Sequence, residues 1–223
     1  MWAVIPIKNL NETKHRLKSA LNPQERRDFF VEMFEDVLTT LLAVPELEQV
    51  AVATVCPIAG KIAKKYGTSI LFTEKDEGQT AAVTRTAEIL ESKRVAKMLI
   101  LPGDVPLVTV EEIQAVIATH ESACSKPDVP AMTIVPARDE QGSNCIVLSP
   151  PTAAPLRFGP NSYFPHLETA RKLGVSLQTL KLPGIGLDID TPEDLLELGR
   201  QSVRTRAQNY LQKYKILERI KIA

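Results

Sequence analysis

Short β-branched runs alternate along this chain with longer segments of helical period, and that alternation restricts the fold to βαβ units around a largely parallel sheet. Strands are predicted at Ala3–Ile7, Val50–Val55, Ser69–Phe72, Lys97–Leu101, Ala131–Val135, Cys145–Leu148 and Ser176–Leu180. Between the first two, Asn22-Pro23-Gln24-Glu25 supplies an N-cap, a proline at the first helical position and a glutamate at the third. Phe30, Met33, Phe34, Val37, Leu38 and Leu41 then recur on one helical face, which is expected to pack on the sheet. Thr109 with Glu112, and Thr191-Pro192 with Asp194, repeat the same cap pattern.

No internal repeat, low-complexity stretch or long linker divides the 223 residues. The expected architecture is therefore α/β, one domain with a central, mostly parallel sheet flanked by helices. From Leu196 an apolar stripe continues through Val203, Ala207, Tyr210, Tyr214 and Leu217, and residues 200–223 carry seven Lys/Arg against one acidic residue. The domain is accordingly drawn at residues 1–198, with 199–223 as a basic helical extension whose charged face is solvated, or turned toward a second copy in a homodimer or an anionic partner.

Charge and cysteine content narrow the function classes. Lys+Arg and Asp+Glu both number 27, and aromatic residues, at 5%, are not interleaved with the basic ones, so neither the net field nor the side chains suit nucleic acid. No stretch approaches the roughly 20 apolar residues that span a bilayer, and Met1–Ile7 runs into Lys8 without a cleavage site. Cys56, Cys124 and Cys145 are odd in number, far apart and without a C-x-x-C pair, which points to a reduced, cytoplasmic protein rather than a disulfide or zinc framework.

In open α/β sheets ligands collect beyond the carboxyl ends of the strands, and four segments there have unusual chemistry. After the first strand, Lys8, Lys14, Arg16 and Lys18 could hold a polyphosphate, or could line an ordinary solvated loop. No glycine precedes Gly60, so neither a Walker loop nor a G-x-G-x-x-G turn exists here. Pro102-Gly103-Asp104-Val105-Pro106 places a carboxylate in a turn after the strand ending at Leu101, suited to Mg²⁺ or simply to the turn. In Gly186-Leu187-Asp188-Ile189-Asp190 the two aspartates project to one side of an extended backbone, an arrangement that favours a cation between them, although Asp190 could instead serve the dipole of the next helix. Gly142-Ser143-Asn144 and Phe158-Gly159-Pro160-Asn161-Ser162, the latter before a helix containing His166, offer glycines, backbone N–H groups and hydroxyls to a small phosphate or carboxylate. A basic loop, three carboxylates and an anion pocket are together what nucleotidyl transfer requires.

These segments, in this order and with Leu187-Asp188-Ile189-Asp190-Thr191-Pro192-Glu193-Asp194-Leu195, resemble over about residues 1–198 the 2-phospho-L-lactate guanylyltransferase family of coenzyme F420 biosynthesis. The resemblance implies a nucleotide-diphospho-sugar transferase-like fold. It implies that GMP from GTP is joined to 2-phospho-L-lactate, phosphoenolpyruvate or 3-phospho-D-glycerate with release of pyrophosphate, the product passing to the downstream F420-precursor transferase. By position, Asp104, Asp188 and Asp190 would hold Mg²⁺. Lys8, Lys14, Arg16, Gly78, Thr80 and Gly103 would face the nucleotide, with Lys8, Arg16 and Asp104 acting in catalysis, and Ser143, Gly159 and Ser162 would hold the acceptor. The chain departs from the family pattern at Gly78-Gln79-Thr80-Ala81-Ala82, at Ser143 where relatives often have threonine, and at Asn161 where they often have glycine. The rival readings are a molybdenum cofactor guanylyltransferase-like enzyme of the same fold and a non-catalytic nucleotide-binding subunit.

Overall fold

The computed structural model describes residues 1–10, 13–71, 78–124, 129–159 and 161–222. Its seven strands, β1 (Trp2–Ile7), β2 (Gln49–Thr54), β3 (Ser69–Leu71), β4 (Met98–Ile100), β5 (Ala131–Pro136), β6 (Ser143–Ser149) and β7 (Ser176–Thr179), correspond one to one with the predicted runs. Phe72, the expected last residue of β3, lies outside the described residues. The strands form one sheet in the order β3-β2-β1-β4-β6-β5-β7. All neighbours are parallel except β6, which runs antiparallel to both β4 and β5.

Period-two alternation divides the core between the two faces of the sheet. Ala3, Ile5 and Ile7 of β1, with Leu99 and Leu101 around β4, meet α1 (Pro23–Leu42), α2 (Pro57–Lys65) and α4 (Val110–Ala123) on one face. Val4, Met98 and Ile100 meet α3 (Gln79–Ser92) and α5 (Tyr163–Lys172) on the other. Phe30, Met33, Phe34, Val37, Leu38 and Leu41 of α1 are all buried, as their spacing requires. Each such side chain contributes about 1.5–3 kcal/mol relative to an exposed position.

Caps set where the helices begin. Asn22 and Glu25 close a reciprocal box at α1: Glu25 N–H donates to Asn22 Oδ1 and Asn22 N–H to Glu25 Oε2, both at 2.9 Å. Thr191 and Asp194 do the same at α7 (Pro192–Arg200). At α4 only half the box forms. Thr109 accepts from Glu112 N–H at 3.2 Å, but the Glu112 carboxylate instead receives the Gly184 and Ile185 N–H groups at 2.7 and 3.0 Å, holding the short turn α6 (Pro183–Gly186).

The stripe beyond Leu196 is not one helix. It breaks after α7 and restarts as α8 (Arg206–Lys213) and α9 (Ile216–Ile222), because Thr205 and Gln208 form a new capping box and Asp36 of α1 accepts the Arg206 and Ala207 N–H groups, each at 2.9 Å. Val203, expected on the buried face, is 57% exposed in the connection. Within the segment drawn as the extension, Ala207, Tyr210, Leu211 and Ile216 pack in the same cluster as α1 and α7. Part of the basic face is paired within the chain: Arg206 with Glu35 at 3.3 Å and Arg219 with Glu25 at 3.0 Å.

His120 on α4 is a satisfied core histidine, its Nδ1 3.0 Å from Thr133 Oγ1 and its Nε2 2.7 Å from Ser149 Oγ. Burial, assisted by the nearby Lys97 charge, lowers its pKa to about 4. The unfolded ring binds a proton near pH 6.5, so between pH 6.5 and 4 unfolding takes up a proton and stability falls with acid. Half-buried Asp36, raised to about 6 by desolvation, has the opposite sign, so the effect is isolated by comparing the wild type with His120→Gln. In urea titrations stepped from pH 7 to 4, the wild type is expected to lose about 1.4 kcal/mol per pH unit relative to that variant below pH 6.5. Parallel profiles would show that the ring is charged in the folded state.

Candidate active site

The reversed strand explains how the site is gathered. Because β6 runs against β4, with Ile100 opposite Ile146, its first residue Ser143 lies at the same edge as the carboxyl ends of β1 and β4. Segments that are far apart in sequence therefore meet around one cavity of about 530 Å³. Arg16, Asp104, Gly142, Ser143, Gly159, Ser162, Asp188 and Asp190 all line it.

Lys14 is the pivot of the charged part. Its backbone is left-handed, with φ 55°, at the start of a 3₁₀ turn, His15–Leu17. The side chain, only 4% exposed, donates to Asp104 Oδ2 at 2.6 Å and to Asp190 Oδ1 at 2.7 Å. Burial opposes its charge, but the two carboxylates outweigh that cost and hold its pKa above the ordinary lysine value. Arg16 stands 3.7 Å from Asp190 Oδ2. Burial works against ionisation of Asp190 as well, yet Lys14, Arg16 and Lys8 bring its pKa below the usual carboxylate value.

Asp188 has the opposite environment. Burial and then repulsion from Asp104 raise its pKa to about 6, while a hydrogen bond from Asn144 Nδ2 at 3.0 Å resists the shift. The same Asn144 amide donates to Ile185 O at 2.9 Å, and Ile189 N–H donates to Asp104 O at 3.1 Å, so the two acidic segments are fixed to each other through the backbone. Among the described residues no three His, Cys, Asp or Glu side chains converge closely enough to hold a metal ion by themselves. Asp104 Oδ1, however, is buried and has no hydrogen-bond partner. An unpartnered carboxylate oxygen beside a second carboxylate that it repels fits a cation held by one or two protein ligands, with water and phosphate oxygens completing its shell.

The neutral part is built from hydroxyls and strained turns. Gly159 has φ 141°, and Asn161 takes φ 56°, the left-handed conformation that asparagine tolerates best after glycine, so the replacement of glycine there preserves the backbone path. Pro160 between them lies outside the described residues. The start of α5 offers fewer N–H donors than the sequence suggests, because Tyr163 N–H is committed to Gln141 O at 3.2 Å and Pro165 has none. The Ser143 and Ser162 hydroxyls are the remaining donors on this side of the cavity; Ser162 is buried and spends no side-chain hydrogen bond on capping the helix.

Five expected site residues do not line the cavity: Lys14, expected to face the nucleotide, is buried against Asp104 and Asp190, and four others stand elsewhere. Lys8 is exposed and outside the cavity lining, and acts on the site through its charge on Asp190. Gly103 faces the core: a Cβ there would lie 2.6 Å from Ile7 Cδ1, so packing explains the glycine. Gly78 caps α3 with φ 89°, and Thr80 Oγ1 accepts the Phe158 N–H at 3.0 Å, so of this segment Gln79 reaches the cavity. Sequence reasoning passed over Asn144 as a site residue. Its signal was a polar side chain in step with Ile146 and Leu148, a register position that otherwise carries apolar residues.

One mostly parallel sheet with helices on both faces, a reversed strand within it and charged and polar loops at its carboxyl edge is the fold of nucleotidyltransferases. It is shared with a solved structure from Desulfovibrio desulfuricans G20 provisionally assigned to the nucleotide-diphospho-sugar transferases, at TM-score 0.79 and 15% identity over 99% of this chain and 96% of that one. The family described as "Guanylyl transferase CofC like" matches residues 1–221, and the chain belongs to that family. Its relatives include the phosphoenolpyruvate guanylyltransferase of Conexibacter woesei, 29% identical over 87% of this chain and 85% of that protein. Another is the 2-phospho-L-lactate guanylyltransferase of Methanothermobacter thermautotrophicus, 29% identical over 95% and 89%.

Proposed function

We propose that this chain transfers the guanylyl group of GTP to the phosphate of a three-carbon phosphoacid, with release of pyrophosphate, as a cytoplasmic step of coenzyme F420 biosynthesis. Family membership and the names of its relatives support the guanylyl donor and the acceptor class. The observation that carries the reading is one cavity lined by both an acidic-basic cluster, Asp104, Asp188, Asp190 and Arg16, and a hydroxyl-bearing anion pocket, Ser143 and Ser162. Phosphoenolpyruvate, 2-phospho-L-lactate and 3-phospho-D-glycerate all satisfy that pocket's chemistry. The product passes to the transferase that builds the F420 precursor.

An oxygen of the acceptor phosphate attacks the α-phosphorus of GTP. The new O–P bond forms as the bond from the α-phosphorus to the bridging oxygen breaks, and pyrophosphate leaves with that electron pair. The nucleophile is already anionic at neutral pH, so no general base is required. Catalysis then rests on positioning and charge neutralisation. Asp104, with its unpartnered Oδ1, and Asp188 beside it would hold Mg²⁺ directly, and Asp190, paired with Lys14, would add its charge to the site; the ion when bound would screen the repulsion between the two anions. Arg16 faces the triphosphate, Lys8 adds field from the rim, and Ser143, Gly159 and Ser162 orient the acceptor so that its phosphate is in line.

The direct test is pyrophosphate release by the purified protein with Mg²⁺, each of the four NTPs and each of the three phosphoacids, the nucleotide product being confirmed by mass. Turnover with GTP and one acid is expected. No turnover in any combination, even with the downstream transferase present to draw off product, would refute the proposal.

A further inference from the structure

His166 on α5 takes no part in the transfer described above, yet both of its ring nitrogens are engaged at the acceptor pocket. It is 2% exposed, and Phe158 meets it edge-on with ring centres 5.6 Å apart. The Arg157 backbone N–H donates to Nε2 at 2.9 Å, and Nδ1 lies 3.0 Å from Ser143 Oγ. A backbone N–H can only donate, so Nε2 must carry the lone pair and, in the neutral ring, Nδ1 must carry the hydrogen. Burial lowers the pKa of the ring to about 4, which keeps it neutral at pH 7. The Nδ1–H therefore donates to Ser143 Oγ and takes up one of its lone pairs. The Ser143 hydroxyl hydrogen is left to point away from the ring, and Ser143 lines the cavity.

We propose that His166 is a positioning residue for the acceptor: it fixes the Ser143 hydroxyl as a hydrogen-bond donor toward the substrate's phosphate or carboxylate, and it anchors the Arg157–Gly159 segment through the Arg157 N–H. The inference rests on the reading of Ser143 as an acceptor contact. The neighbouring amide supports the anchoring role, because Phe158 N–H is held by Thr80 Oγ1 of α3 at 3.0 Å. Two consecutive backbone groups of the acceptor loop are thus tied to two different helices, one through His166. A side chain serving only to fill volume would need neither nitrogen placed against these two groups.

Two measurements test this. Nitrogen-15 chemical shifts of His166 report the tautomer without any need for turnover: the Nδ1–H form is expected, and an Nε2–H or doubly protonated ring at pH 7 would overturn the proposal. The second is a double-mutant cycle with Ser143→Ala, read as the acceptor KM separately from the GTP KM. His166→Phe retains the bulk and loses both hydrogen bonds. It is expected to raise the acceptor KM about tenfold, the scale of one lost hydrogen bond to a charged group, while the GTP KM changes less than twofold. In the Ser143→Ala background the same replacement should change the acceptor KM less than threefold, because the hydroxyl it would position is gone. His166→Asn, which restores a donor near the Nδ1 position, should recover most of the loss and serves also where the phenylalanine variant folds poorly. Additive effects, or equal changes in both KM values, would overturn the positioning role. An unchanged acceptor KM in Ser143→Ala alone would instead remove Ser143 from the acceptor site, and the inference with it, while leaving the guanylyl transfer reading intact.

Discussion

Asp190→Asn is expected to lower turnover by about three orders of magnitude while leaving the fold and its melting temperature close to wild type. The substitution keeps size and an acceptor oxygen for Lys14 Nζ, which lies 2.7 Å from Asp190 Oδ1, and removes only charge. Because the Asp190 side chain is 40% exposed, the loss of its ion pairs should change stability by no more than about 1 kcal/mol. In the proposed mechanism the charge acts in the transition state instead, where two anions are pressed together and Mg²⁺ would be held against them. The Mg²⁺ concentration giving half-maximal rate should rise in parallel. Wild-type rates in the variant would remove Asp190 from the site.

Lys14→Met should have the second largest effect, and on two readouts at once. The lysine side chain is 4% exposed and bridges two carboxylates, so its loss leaves Asp104 and Asp190 facing each other without their buried cation. Breaking a fully buried pair costs about 3–5 kcal/mol, but the carboxylates here retain contact with water, at 21% and 40% side-chain exposure, which reduces the expected loss to about 1–3 kcal/mol. Turnover should fall by at least about 100-fold. Added Mg²⁺ should raise the melting temperature of the variant more than that of the wild type, since a divalent ion can replace the missing charge. An unchanged melting temperature without Mg²⁺ would show that the bridge contributes nothing to the fold.

What could be seen in the sequence was what local rules encode. The strands, the buried face of α1 and the caps at Asn22 and Thr191 depend on residues within one or two turns of each other, and each formed where its spacing placed it. The candidate residues were legible as types, and Asp104, Asp188, Asp190, Ser143 and Ser162 do share one cavity. Their partners were not. Lys14 finds carboxylates 90 and 176 residues away, and Glu112 abandons its own helix cap for amides 72 and 73 residues away. Gly103 is expected to face the nucleotide, whereas its open side meets Ile7 in the core. The stripe past Leu196 obeyed helical period, but two capping devices at Thr205 and Asp36 outweighed it.

The bridge from Lys14 to Asp190 also sets when activity can first exist. It closes a loop of 176 residues, and contacts that distant in sequence pay their closure entropy before they return anything. The edge carrying Lys14, Asp104 and Asp190 is therefore complete only when segments from both ends of the chain have met. A chain emerging from the ribosome has no complete site until Asp190 has left the exit tunnel and β1 has been joined by its neighbours. Recovery of turnover during refolding thus reports closure of this long-range contact and not the formation of local helix alone.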